Sequence, residues 1–143
     1  MYDQMYWMLT YGETKHYNPI GLRPEMKKYT IFIDGISKAF AATGVRVGWA
    51  LGPEIVLSKM KAINSHVGAW SPMAEQNATA KFLLQQDVVD KYLYNFKREL
   101  QERLQLIYEG FQQLKSDGFA VDACSPQAAI YLTIQLSLVS KKT

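Results

Sequence analysis

Asp34-Gly35-Ile36-Ser37-Lys38-Ala39-Phe40-Ala41-Ala42-Thr43-Gly44-Val45-Arg46-Val47-Gly48 lies between two apolar runs, and its reading decides the fold. The run before it, Tyr29-Thr30-Ile31-Phe32-Ile33, has the β-branched and aromatic content of a buried strand. Asp34-Gly35 is a turn signal that ends this run. Lys38 is therefore expected just past the carboxyl end of a strand, where open α/β sheets place their ligands. A second strand is expected from Val45 to Leu51, closed by Gly52-Pro53. A lysine and an arginine, Lys38 and Arg46, held at two strand ends of one sheet make a cationic pocket. Lysine can attack a carbonyl as an amine, and arginine clamps a phosphate with two parallel hydrogen bonds.

The whole segment, Ser-Lys-x(4)-Thr-Gly-x-Arg-x-Gly over Ser37 to Gly48, resembles the cofactor-lysine signature of the class I/II aminotransferases. That family is aspartate aminotransferase-like, has fold type I and depends on pyridoxal 5'-phosphate (PLP). The resemblance implies an α/β fold, with a mixed, mostly parallel sheet flanked by helices. It implies that Lys38 forms the internal Schiff base with the cofactor and that Arg46 binds the cofactor phosphate, with Ser37 in the same binding set. It also implies that Asp3, in Asp3-Gln4-Met5-Tyr6, pairs with the pyridine nitrogen and that Tyr6 hydrogen-bonds the ring hydroxyl. Asp3 stands 35 residues before Lys38, in the place the family puts it. Many members carry a serine three residues before the lysine as a further phosphate contact. Gly35 stands there instead and leaves that contact open.

At 143 residues the chain is long enough for one domain with a real core. Its 48% hydrophobic and 20% charged residues are those of a soluble globular protein. A net charge of +3, spread along the chain, argues against a nucleic-acid partner. Lys27-Lys28 and Lys141-Lys142 read as solvated pairs. The single cysteine, Cys124, excludes an internal disulfide and reads as a small buried residue. His16 and His66 stand apart without ligand spacing, so no metal site is expected. No apolar run reaches the roughly 18 residues of a membrane helix, and Met1 to Gln4 lacks the basic region of a signal peptide. A cytoplasmic location is expected, with no membrane partner.

Along the chain, Met1 to Thr10 reads as a strand end and its turn. Tyr11 to Pro19 is loop, in which His16 is expected to be solvated, and Gly21 to Lys28 is a short exposed turn. Gly52-Pro53 opens a helix with Ile55, Val56, Met60 and Ile63 on one side, followed by a loop from His66 to Ser71. Ser71-Pro72 opens a second helix that ends near Gln86. Trp70 reads either as core or, by the resemblance, as part of a loop that crosses a dimer interface. Val89, Leu93, Phe96, Leu100, Leu104, Ile107, Phe111 and Leu114 recur at three- and four-residue steps from Asp87 to Asp117. This predicts a long helix, capped at Gly118 and resembling the family's interdomain helix. Phe119 to Val121 and Gln127 to Leu136 read as strands, with Ile130, Leu132, Ile134 and Leu136 forming one buried face.

The division that follows is residues 1–86 as the C-terminal part of a PLP-binding large domain. Residues 87–143 would be the interdomain helix and the beginning of a small domain. Members of the family are much longer, and the chain reads as a fragment without the arginine that grips the substrate carboxylate. The function implied is an aminotransferase, acting on an amino acid and a 2-oxo acid, as a homodimer. Two alternatives stand beside it: a lyase or synthase of the same fold, and a catalytically inactive unit that only folds and associates.

Overall fold

In the computed structural model, which describes residues 1–137, the Asp34–Gly48 segment links two strands of a three-stranded sheet. The strands are β1 (Tyr2–Asp3), β2 (Phe32–Gly35) and β3 (Gly48–Leu51), in that order. β1 runs parallel to β2, with Tyr2 opposite Phe32, and β2 runs antiparallel to β3, with Asp34 opposite Trp49. Parallel neighbours need a crossover. Here it is made by loop, by the short helix α1 (Pro19–Leu22) and by a 3₁₀ turn over Pro24–Lys28. The result is a mixed α/β architecture, as expected.

Both strands flanking the Lys38 loop are displaced from the expected runs. Tyr29 is exposed and closes the 3₁₀ turn, donating its N–H to the Met26 carbonyl. β2 starts later and continues through Asp34-Gly35, which is strand and not turn. Gly35 pairs with Gly48 so closely that a Cβ on Gly35 would stand 2.8 Å from the Val47 carbonyl oxygen. The dipeptide thus serves a tight strand crossing. β3 begins at Gly48, three residues after the expected start, because Arg46 has φ 58° and cannot continue an extended chain.

Three longer helices follow. α2 (Glu54–Val67) includes His66 and Val67, which had read as loop, and stops at Gly68, whose φ of 67° is the left-handed turn that favours glycine. α3 covers Met73–Leu83. α4 (Gln86–Ser116) is 31 residues long, about 45 Å at 1.5 Å per residue, and Gly118 follows it with φ 91°. Phe40 meets Phe82 of α3 edge-on at 5.3 Å and stacks on Tyr92 of α4 at 5.8 Å. These rings dock the Lys38 loop on the helices. Ile36, Ala39 and Val47 of the loop are buried, as are Leu9, Tyr11, Val89 and Leu104.

The C-terminal part departs further from expectation. β4 (Val121–Ala123) and β5 (Ile134–Leu136) form an antiparallel pair. Residues 127–133 are not strand: the backbone of residues 127–129 is engaged by the N-terminal segment, and the Thr133 carbonyl accepts the Cys124 N–H at 2.9 Å. Tyr11 donates its N–H to the Gln127 carbonyl at 2.9 Å, Ala129 donates to the Leu9 carbonyl at 2.8 Å, and Thr10 bridges Ala128. The expected buried face does not form: Ile130, Ile134 and Leu136 are exposed, because α4 packs on β4 and β5 lies outside it. Cys124 is exposed, not buried. His16 is not solvated. It lies between the Tyr2 and Trp7 rings, centroids 6.1 and 6.2 Å away, and its Nε2 is buried without a partner. Trp70 is half-exposed and outside the core. Lys27 and Lys28 are exposed, whereas Lys141-Lys142 falls outside the described residues.

Candidate active site

Lys38 occupies a single helical turn beyond the carboxyl end of β2. The turn is closed by the Phe40 N–H on the Ile36 carbonyl at 3.3 Å and the Ala41 N–H on the Lys38 carbonyl at 3.2 Å. Ala39 and Phe40 anchor it in the core, which leaves the half-buried Lys38 on the other side. Its Nζ stands 6.0 Å above the centre of the Tyr6 ring, within reach of a cation–π contact. Tyr6 comes from the turn after β1, fixed by the Trp7 N–H on the Gln4 carbonyl and the Leu9 N–H on the Tyr6 carbonyl. The parallel pairing of β1 with β2 is what brings these two residues together.

Asp3 ends β1 and accepts the Met5 N–H at 3.1 Å. It is exposed, and its charge is near enough to Tyr6 to raise that phenol's pKa. Tyr6 is pushed up to about 12, first by its hydrogen bond with Tyr131, then by burial and by the charges of Tyr131 and Asp3. The Tyr6 and Tyr131 hydroxyls are 2.5 Å apart, and their rings meet edge-on at 5.4 Å.

Arg46 is held differently. Its left-handed backbone follows the turn in which the Val45 N–H meets the Ala42 carbonyl. Its Nη1 donates to the Thr43 carbonyl at 3.0 Å, and the side chain is exposed. It pairs with no carboxylate among the described residues. The Ile36 N–H on the Val47 carbonyl, at 3.3 Å, ties the Arg46 turn to the Lys38 turn. Ser37, half-buried, lies on the Lys38 turn itself. All five residues singled out from the sequence therefore lie at one end of the sheet.

Two further contributors were not among the candidate site residues. Asp34 is buried, accepting the Gly35 N–H at 2.7 Å and the Trp7 Nε1–H at 2.8 Å, so it braces the β1 turn against β2. Its only visible mark was a carboxylate at the end of an apolar run. Tyr131 lies within the run expected to be a strand, and the engagement of residues 127–129 by the N-terminal segment brings it to Tyr6. The open serine contact also has its answer, since a side chain at Gly35 would run into the Val47 carbonyl.

The family model for aminotransferases of class I and II matches residues 1–142. The aspartate aminotransferase of Geobacillus stearothermophilus is 34% identical over 91% of this chain, which covers 31% of that enzyme. The aspartate/prephenate aminotransferase of Thermus thermophilus is 29% identical over 96% of the chain and 34% of the enzyme. A solved structure of Thermus thermophilus aspartate aminotransferase with maleate superposes with a TM-score of 0.81 at 29% identity, over 92% of this chain and 32% of that one. The chain thus spans about a third of the length of the curated relatives it matches. The cofactor of this family is PLP. With the signature, the sheet and the superposition in agreement, the chain belongs to the class I and II aminotransferases.

Proposed function

We propose that this chain carries the cofactor-lysine site of a PLP-dependent aminotransferase, which moves an amino group between an amino acid and a 2-oxo acid. The observation that carries this reading is the convergence of Lys38 with Tyr6 beside Asp3, from segments far apart in sequence. The donor set suits the cofactor. An amine suits its aldehyde, a phenol its ring oxygen, a carboxylate its ring nitrogen and a guanidinium with no carboxylate partner among the described residues its phosphate. When bound, PLP supplies an electron sink for the carbanion formed at the substrate Cα. Lys38 would anchor the cofactor through its amine, and that amine is the group that would move the Cα proton. Asp3 keeps the proton on the ring nitrogen. Tyr6 orients the ring through its hydroxyl, while Arg46, with the Ser37 hydroxyl, holds the phosphate with a charge that cannot be titrated away.

In this reading residues 1–86 belong to the PLP-binding large domain, and residues 87–143 to the interdomain helix and the start of the small domain. The working form is a cytoplasmic homodimer. No described helix is long and apolar enough to cross a membrane. A second reading, a unit that folds and associates without chemistry, is favoured by one observation: Ile55 and Ile63 on α2 are 75% and 60% exposed.

One experiment separates the two. The purified chain is mixed with PLP, scanned for a visible absorbance band, reduced with borohydride and mapped by peptide. The expected result is a band whose label falls on Lys38 and which is lost in Lys38→Ala. Label scattered over surface lysines would leave the association unit as the correct reading.

A further inference from the structure

Tyr131 lies in none of the elements that carry the cofactor signature, yet its hydroxyl is 2.5 Å from that of Tyr6. Its side chain is 61% exposed, so burial does not hold it in place. The backbone before it does. Residues 127–129 are stitched to the segment following Tyr6 by the Tyr11 N–H on Gln127, the Ala129 N–H on Leu9 and the Tyr11 hydroxyl on the Ala129 carbonyl. Within this stitch Ala129 takes φ 64°, a left-handed conformation that glycine adopts freely and alanine adopts only when its surroundings impose it. The bend returns the chain toward the β1 turn and delivers Tyr131 to Tyr6.

We propose that Tyr131 is a positioning residue of the cofactor site, its hydroxyl holding the Tyr6 phenol in place beside Lys38. This rests on the reading of Lys38 and Tyr6 as cofactor-binding residues. A phenol has one proton to give and two lone pairs to receive with. Joined to Tyr131, the Tyr6 ring has lost its freedom to turn before any ligand arrives, and a ligand that uses it is spared that ordering cost. The other ionisable groups facing Tyr6 are Asp3 and Lys38. Neither replaces the Tyr131 contact, because one lies by its charge alone and the other over the ring face. The raised pKa of Tyr6, in which this hydrogen bond is the largest cause, agrees with a phenol that keeps its proton through the contact.

The test uses Tyr131→Phe, which preserves the edge-on ring contact and removes only the hydroxyl. With tyrosines labelled by carbon-13 at the hydroxyl-bearing carbon, Tyr6 in the wild-type chain is expected to stay protonated at about pH 11, where ordinary tyrosines have ionised. In Tyr131→Phe it should ionise about one pH unit earlier, still above the ordinary value because burial and Asp3 remain. The PLP concentration that half-saturates borohydride labelling of Lys38 should rise roughly 3- to 10-fold. Should Tyr131→Phe fail to fold, Tyr6→Phe provides the reciprocal measurement, a shift of the Tyr131 signal on loss of its partner.

The outcomes are distinct. Lys38 labelling in the wild-type chain with both changes in the variant supports the proposal. Lys38 labelling that is equal in chain and variant overturns it and leaves the cofactor site standing, whatever the tyrosine titration does. No Lys38 labelling in the wild-type chain overturns the cofactor reading, and the positioning role with it.

Discussion

Gly35 shows how one atom decides a contact. Many proteins with the Lys38 signature carry serine there, which suggests that the chain has merely lost a phosphate ligand. The geometry says otherwise, since a Cβ would approach the Val47 carbonyl oxygen to 2.8 Å and the Gly48 Cα to 3.0 Å. Both are backbone atoms in the strand crossing, and neither can swing aside. Gly35→Ser is therefore expected to cost about 1–3 kcal/mol of stability in urea unfolding and to leave PLP affinity no better. A variant as stable as the parent, with tighter PLP binding, would show that the crossing has room to spare. Asp34 next to it had a modest sequence signal and a large structural role. A buried carboxylate needs all its hydrogen bonds, and here two segments supply them.

At the scale of elements, the long helix was legible because its pattern is long. Eight apolar positions at helical spacing overwhelm local noise, and α4 begins and ends within a residue of the expected limits. The short strands were not, since three or four residues carry too little pattern to resist their neighbours. The junction of α4 with β4 is held by Lys115, whose Nζ donates to Asp122 at 2.5 Å, and by the Gln112 amide at 3.1 Å. These two hydrogen bonds, with that of the Ala123 N–H, hold the Asp122 carboxyl down at about 2. A carboxylate with a depressed pKa stabilises the fold above its ordinary value near 3.9, and that contribution disappears as pH falls from there through about 2. Asp122→Asn should lower the melting temperature slightly at neutral pH and flatten its fall between about pH 4 and 2. An unchanged acid limb in thermal melts by circular dichroism would place the acid sensitivity elsewhere. The i, i+4 pairs on α4, Arg98–Glu102 and Arg103–Glu99, are exposed and add little.

For the whole molecule, the decisive feature is apolar surface without cover among the described residues. Ile55, Ile63 and Val67 on α2, with Trp70 and Met73 beyond it, are all more than half exposed. Scattered apolar side chains are normal on a surface, but a cluster on one helix and its adjoining loop marks a place of contact. Among the described residues β1 is a short strand with a parallel partner on one side only, so its other edge offers hydrogen-bonding groups to a further strand. Light scattering at micromolar concentration is expected to give a mass above that of the 16.3 kDa chain. A monomeric mass would mean that these surfaces are covered within the chain itself in solution.

By itself the sequence determined the family and the long helices, and singled out Lys38, Arg46, Asp3, Tyr6 and Ser37 as candidates, because each is written in local spacing. Lys38 follows its strand by a set number of residues, and helical periodicity needs no distant partner. What only the tertiary structure decided is which residues meet across the chain: Tyr6 with Lys38, Trp7 with Asp34, and Tyr131 with Tyr6. Those meetings depend on the parallel pairing of β1 with β2 and on the bend at Ala129. Both are set by hydrogen bonds between segments as far apart as Leu9 and Ala129, and no local pattern records a bond of that length.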